Sequence, residues 1–208
     1  VSVCLIIFLL RSCVESQSLK HPLPEKQKPA VNEAVATFAE GCFWHAEIVF
    51  QSLVGVRDAV AGYAGGTDKH PDYETVCGGR TGHAETVQVY YDPAKISYET
   101  LVAAFFASMD PTELNRQGND AGTQYRSVAF YRNANEKQVI ETATKKAQAN
   151  YKQKIVTEVV PFTQFYTAEA YHQEYIHFHP DNGYVANVSI PDIAAFKKTF
   201  KGNFKFLS

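Results

Sequence analysis

Sulfur is scarce in this sequence. Its 208 residues include four cysteines and one methionine. The cysteines, Cys4, Cys13, Cys42 and Cys77, contain no C-x-x-C pair, which excludes a small domain held by a disulfide framework. An excess of one charge is also lacking. Twenty basic and 22 acidic side chains give a formal net charge of −2, with no basic block, so nucleic acid is excluded as a main partner. No internal repeat or low-complexity stretch follows residue 31. The longest apolar run, Val1 to Leu10, has about half the residues that a membrane-spanning helix needs. What is present suits one sizeable core: 45% of residues are hydrophobic and 20% charged, too apolar for a disordered chain.

The run VSVCLIIFLL has the length of a signal-peptide apolar core without its positive leader. Leu10-Arg11-Ser12-Cys13 then resembles a bacterial lipobox, although Arg11 departs from its pattern. A plain cleaved signal and a buried N-terminal strand are the alternatives. Glu15 to Ala30 is polar and carries Pro22, Pro24 and Pro29, the composition of an extended tether. Residues 1–30 therefore read as an export or lipoprotein-like segment with a Pro-rich tether, and residues 31–208 as a single folded domain. The expected location is exported, either periplasmic or anchored to a membrane through Cys13. It becomes cytoplasmic if the segment is not a working signal.

Elements of two periods alternate after residue 31. Ala34 to Ala39, Val56 to Ala64, Ala84 to Asp92, Ser127 to Arg132 and Val156 to Val160 read as strands. Phe43 to Leu53, a segment beginning near Ser97, Asn133 to Tyr151 and Thr167 to Phe178 read as helices. Asn133 with Glu136 resembles a capping pair, and Pro191 and Gly202 bracket a last short helix. A Gly-rich loop fills Gly65 to Gly82. The fold class is mixed α/β with one core.

Four features could carry chemistry. Cys42 stands where the first strand meets its helix, so free backbone amides would face its sulfur and lower its pKa. An inert buried thiol is the alternative. Phe43 and Trp44 follow at once, either as core residues or as an apolar rim beside the sulfur. Glu85 alternates with Val87 and Val89 and so would point inward; a desolvated carboxyl there would stay protonated and could donate. A solvated glutamate at the strand start is the alternative. Gln117 to Ser127 is a dense polar loop before a strand, and turn chemistry explains it equally well.

A metal-stabilised binding module competes with a thiol nucleophile. Cys42 and His45 have C-x-x-H spacing, with Cys77, His83 and the group His172, His177 and His179 elsewhere. Two bulky aromatics separate residues 42 and 45, and Cys77-x5-His83 is no tight ligand pair, so no metal is expected.

Together, these segments resemble the peptide methionine sulfoxide reductases of type A. The resemblance rests on GCFW at Gly41 to Trp44, GVRDAVAGYAGG at Gly55 to Gly66 and PDYETVCGGRTGHAETVQVYYDP at Pro71 to Pro93. It continues through DPTELNRQGNDAGTQYRS at Asp110 to Ser127 and AEAYHQEY at Ala168 to Tyr175, covering residues 33–185. It implies a two-layer α/β (α+β) sandwich around a mixed sheet, with a ferredoxin-like core, and makes residues 31–208 the catalytic domain.

The resemblance also implies roles. Cys42 would attack the sulfoxide sulfur, and Glu85 would protonate the oxygen. Tyr73 and Tyr125 would hydrogen-bond that oxygen, Phe43 and Trp44 would hold the ε-methyl, and Asp120 would lie near the substrate backbone. The products would be methionine and a Cys42 sulfenic acid, from the S epimer, free or in oxidised proteins. No cofactor would be bound, and a monomer is expected. In many relatives a resolving cysteine follows the late Gly-Tyr pair. Here Gly183-Tyr184 is followed by Val185, and Gly78 to Ser208 contains no cysteine. The sulfenic acid would then be reduced by an external thiol such as thioredoxin.

Overall fold

The computed structural model describes residues 28–205. The export, lipidation and most of the tether readings therefore lie outside the described residues. Six strands form one sheet in the order β7-β6-β1-β3-β2-β8. They are β1 (Ala34–Glu40), β2 (Val56–Ala64), β3 (Ala84–Tyr91), β6 (Ser127–Tyr131), β7 (Glu158–Pro161) and β8 (Phe165–Thr167). Only β6 and β7 run parallel; the other neighbours are antiparallel, so the sheet is mixed. Arg116–Gln117 (β4) and Asp120–Ala121 (β5) form a separate short hairpin.

The helices are α1 (Phe43–Gln51), α2 (Tyr73–Cys77), α3 (Tyr98–Ala107), α4 (Ala134–Gln148), α5 (Tyr175–Phe178) and α6 (Ile190–Thr199). Strands β1, β2, β3 and β6 with α1 and α3 make the split βαβ pattern, with central order β6-β1-β3-β2. This is the expected ferredoxin-like core.

Strand alternation decides which face each residue serves. Ala36 and Phe38, Ala59, Ala61 and Tyr63, and Val87 and Val89 join the main core under the helices. Ala39, Ala64, Ala84, Val128 and Phe130 form a smaller cluster on the opposite face. Phe38 is fully buried and stacks on Phe50 and Phe105 at centroid distances of 5.2 and 5.1 Å, tying β1 to α1 and α3. Burying each such side chain contributes about 1.5–3 kcal/mol.

Caps set where the helices begin. Ser97 accepts the Thr100 amide at the start of α3, and Asn133 accepts the Glu136 amide at the start of α4. The Glu136 carboxylate reaches back to the Arg132 amide at 2.7 Å, so the expected Asn133–Glu136 pair is present. Inside the expected loop from Gly65 to Gly82, Asp72 and Thr75 form a full capping box that starts α2.

Thr167 to Phe178 is not a helix, contrary to its pattern. Phe165–Thr167 instead adds an edge strand to β2, followed by a 3-10 turn at Ala170–His172 and the one-turn α5. Long-range partners take backbone groups that a helix would have paired: Ala168 N–H donates to the Ala61 carbonyl at 3.0 Å, and Glu174 N–H to the Glu47 carboxyl at 2.8 Å. The Gln173 amide accepts from Ala61 N at 3.0 Å and donates to the Ala61 and Ala168 carbonyls, each at 3.1 Å. Glu174 then adopts φ +52°, which no helix continues through.

Candidate active site

The chain turns sharply between β1 and α1. Gly41 has φ +102°, and a Cβ there would stand 2.7 Å from the Gln117 Cβ, so only glycine fits. Cys42 is the N-cap of α1; its side chain makes no capping hydrogen bond, but the nearby backbone amides of Trp44 and His45 act on its sulfur and favour the thiolate. The first amide of the helix, Phe43 N–H, donates at 3.0 Å to Oε2 of Glu85, a carboxyl that is 2% exposed. Glu85 opens β3 on the same face as Val87 and Val89, as its alternation predicts. One helix end thus holds the thiol and the carboxyl side by side.

The electrostatics of the pair differ from expectation on one point. Helix amides do draw the Cys42 pKa down, but burial and the nearby Glu85 and Asp120 carboxylates outweigh them, and the thiol is pushed well above its ordinary value. The expected lowering therefore does not occur. Burial and Asp120 also push Glu85 up to about 8, against the pull of the Phe43 amide. At neutral pH Glu85 thus carries its proton, as expected of a desolvated donor. In that form it no longer opposes a thiolate at Cys42.

A cavity of about 310 Å³ opens over the sulfur. Its walls are Cys42, Phe43, Trp44, Tyr73, Glu85, Asp120 and Tyr125, with Asn182 and Tyr184. All seven residues singled out from the sequence therefore meet at one place. Tyr125 arrives on a 3-10 turn and Asp120 on the short hairpin beside Gly41. Burial and the neighbouring Cys77 push the Tyr73 pKa up, so its hydroxyl stays protonated. Both Cys42 and Cys77 are free thiols.

Four supporting residues escaped the sequence reading. Tyr184 donates its hydroxyl to Asp120 and borders the same cavity as Cys42. His172 accepts Trp44 Nε1–H at 3.1 Å on Nδ1, and burial holds its pKa down at about 4, so the ring stays a neutral acceptor. Tyr175 stacks on Trp44 at 3.7 Å, and its short helix is held by the buried Glu47 carboxyl, which accepts the Glu174 amide at 2.8 Å. Glu169 accepts the Tyr63 hydroxyl at 2.8 Å and the Tyr73 amide at 2.9 Å, which anchors α2. The signal available for His172, Tyr175 and Glu169 was the polar and aromatic density of Ala168 to Tyr175.

The alternative metal quartet of Cys42, His45, Cys77 and His83 is not assembled. Among the described residues no group of three or more His, Cys, Asp or Glu side chains is placed to hold a metal ion. His83 is instead a turn clamp: Nδ1 accepts Gly66 N–H at 3.0 Å, and Nε2 meets the Asp68 carbonyl at 2.8 Å.

Comparison with known proteins agrees with this geometry. The family model "Peptide methionine sulfoxide reductase" matches residues 34–204. The chain is 46% identical over 178 residues to the peptide methionine sulfoxide reductase MsrA 1 of Rhodopirellula baltica, covering 86% of this chain and 93% of that one. The solved methionine sulfoxide reductase A of Corynebacterium diphtheriae superposes with a TM-score of 0.69 at 34% identity, covering 77% of this chain and 82% of that chain. Mxr1 of Saccharomyces cerevisiae, solved in complex with Trx2, gives a TM-score of 0.51 at 26% identity over 73% of this chain and 91% of that one. With its mixed sheet, its thiol at a helix start and a family match spanning nearly all of the described residues, the chain belongs to the peptide methionine sulfoxide reductase family and is an oxidoreductase.

Proposed function

We propose that this enzyme reduces the S epimer of methionine sulfoxide, free or within oxidised proteins, through a sulfenic acid at Cys42. The observation that carries the reading is the hydrogen bond from Phe43 N–H to Glu85, which places a protonated carboxyl beside the nucleophilic sulfur at one helix end. Cys42 attacks the sulfoxide sulfur while Glu85 gives its proton to the oxygen. The hydroxyl so formed passes to the Cys42 sulfur as the methionine S–O bond and the transient bond between the two sulfurs break. Glu85 recovers the proton that Cys42 loses, so the pair ends with the thiol oxidised, methionine released and the acid restored.

The aromatic walls support the substrate assignment. Phe43 and Trp44 form the apolar side, with Trp44 fixed by Tyr175 and His172, and this side suits the ε-methyl group. The Tyr73 and Tyr125 hydroxyls border the same cavity as Glu85 and would hold the oxygen. Asp120, fixed by Tyr184, would face the substrate backbone.

An external thiol completes the cycle. Cys77 follows Cys42 in the sequence, and no cysteine lies beyond it. The yeast relative's complex with Trx2 supports a thioredoxin-type donor. Purified enzyme given dithiothreitol and the separated epimers tests the substrate: the S form should turn over at least about 100-fold faster, the scale of discrimination by a shaped pocket. Equal rates on both epimers would contradict the assignment.

A further inference from the structure

A second cavity, of about 320 Å³, reaches the same sulfur. It shares Cys42, Asp120 and Tyr184 with the substrate cavity but is otherwise lined by different groups, among them Glu40, His45, Ser108 and Ser189. Three of these carry buried polar atoms without a partner: Glu40 Oε1, His45 Nε2 and Ser189 Oγ. An unpaired polar atom away from water costs free energy, so three around one cavity mark a place built for a polar visitor. Glu40 and Ser189 are each 1% exposed.

Ser108 organises this cavity. Its hydroxyl donates to Glu40 Oε2 at 2.9 Å, on the wall that it shares with His45. His45 Nε2 has no partner, so in the neutral ring it is free to serve as the lone-pair nitrogen. Burial pushes the His45 pKa down, so the ring is neutral and able to accept a proton, although the Asp192 carboxylate pulls the other way. The titratable groups around it are Glu40, Cys42, Asp120, Tyr184 and Asp192.

We infer that this cavity admits the reducing thiol to Cys42 and that His45 Nε2 is the base that takes the thiol's proton. The inference rests on the external-thiol reading above. Its chemistry follows from the charge of the walls. Asp120 and Asp192 disfavour entry of a ready-made thiolate, yet only the thiolate attacks sulfur. A neutral R–S–H must therefore enter and lose its proton inside. As it does so to His45, its sulfur bonds to Cys42 Sγ and the S–O bond of the sulfenic acid breaks. The departing hydroxide takes the Glu85 proton and leaves as water. Cys42 and the reductant are then joined by a disulfide, and the His45 proton returns through solvent to Glu85. A second thiol of the reductant releases Cys42 by exchange.

The test separates the two half-reactions in wild-type enzyme and in His45→Ala. Without reductant, a single turnover measures the methionine burst. Mixing the oxidised enzyme with dithiothreitol, or with thioredoxin, then measures loss of the dimedone-reactive sulfenic acid. His45→Ala should keep the burst within about twofold and slow the second step by about 10²-fold, the loss typical of a missing general base. Added imidazole should restore much of that rate. A defect with dithiothreitol alone assigns the cavity to small thiols, one with thioredoxin alone to a protein thiol, and one with both to either source. Normal reduction with both, a burst that falls in parallel, or no rescue by imidazole would overturn the inference. A Cys42–Cys77 disulfide in the wild type would overturn the external-thiol reading as well, which normal reduction in the variant would leave intact.

Discussion

Replacing Cys42 with serine should lower methionine sulfoxide reduction by at least about 10⁴-fold while leaving the fold intact. The size of the loss follows from the chemistry: a hydroxyl at the same position has neither the polarisability nor the accessible anion of the thiol. The fold should survive because the helix does not depend on the sulfur. Cys42 makes no side-chain cap to α1, and its backbone carbonyl, which serine also has, accepts the His45 and Ala46 amides at 3.1 and 3.2 Å. Circular dichroism and thermal unfolding of Cys42→Ser should match wild type while activity is lost. Residual activity within about tenfold of wild type would remove Cys42 from the centre of the mechanism.

Glu85→Gln carries the second largest effect. Glutamine keeps the shape and can still accept the Phe43 amide, but it cannot give a proton to the sulfoxide oxygen. General acids of this kind contribute about 10²–10⁴-fold, and the methionine burst should slow by that factor. The pH dependence gives the sign. The Glu85 pKa is raised to about 8, so the donor is present below that pH and lost above it. The wild-type burst should therefore fall as pH rises through about 8, and the slow Glu85→Gln burst should lack this fall. The variant also removes a negative charge that pushes the Cys42 thiol up, so its thiolate absorbance should appear at lower pH than in wild type. An unchanged burst rate, or a thiol that titrates later, would contradict the assignment.

Much of this site is legible in the sequence because it is built from local rules. A period of two on β3 aims Glu85 at the core, and a glycine before Cys42 permits the turn that presents the sulfur to free amides. The strands β1, β2 and β3 fall where alternation and apolar runs place them. What the sequence hides is set by distant partners. The Thr167 to Phe178 segment looks helical until Gln173 finds the Ala61 backbone and Glu169 finds Tyr63 and Tyr73. The rise in the Cys42 pKa comes first from burial and then from Glu85, with a smaller push from Asp120, 78 positions later in the chain on the short β4-β5 hairpin. Tyr184 and His172 belong to the same class: ordinary residues made functional by the neighbours that tertiary structure provides.

The central claim is that one thiol, Cys42, does the work and is left as a sulfenic acid. Intact-protein and peptide mass spectrometry after a single turnover, with no reductant present, measures this directly. The account predicts one equivalent of methionine and the gain of one oxygen atom at Cys42, trapped by dimedone, with Cys77 still a free thiol. The loss of two hydrogens, with Cys42 and Cys77 recovered in one disulfide-linked peptide pair, would contradict it.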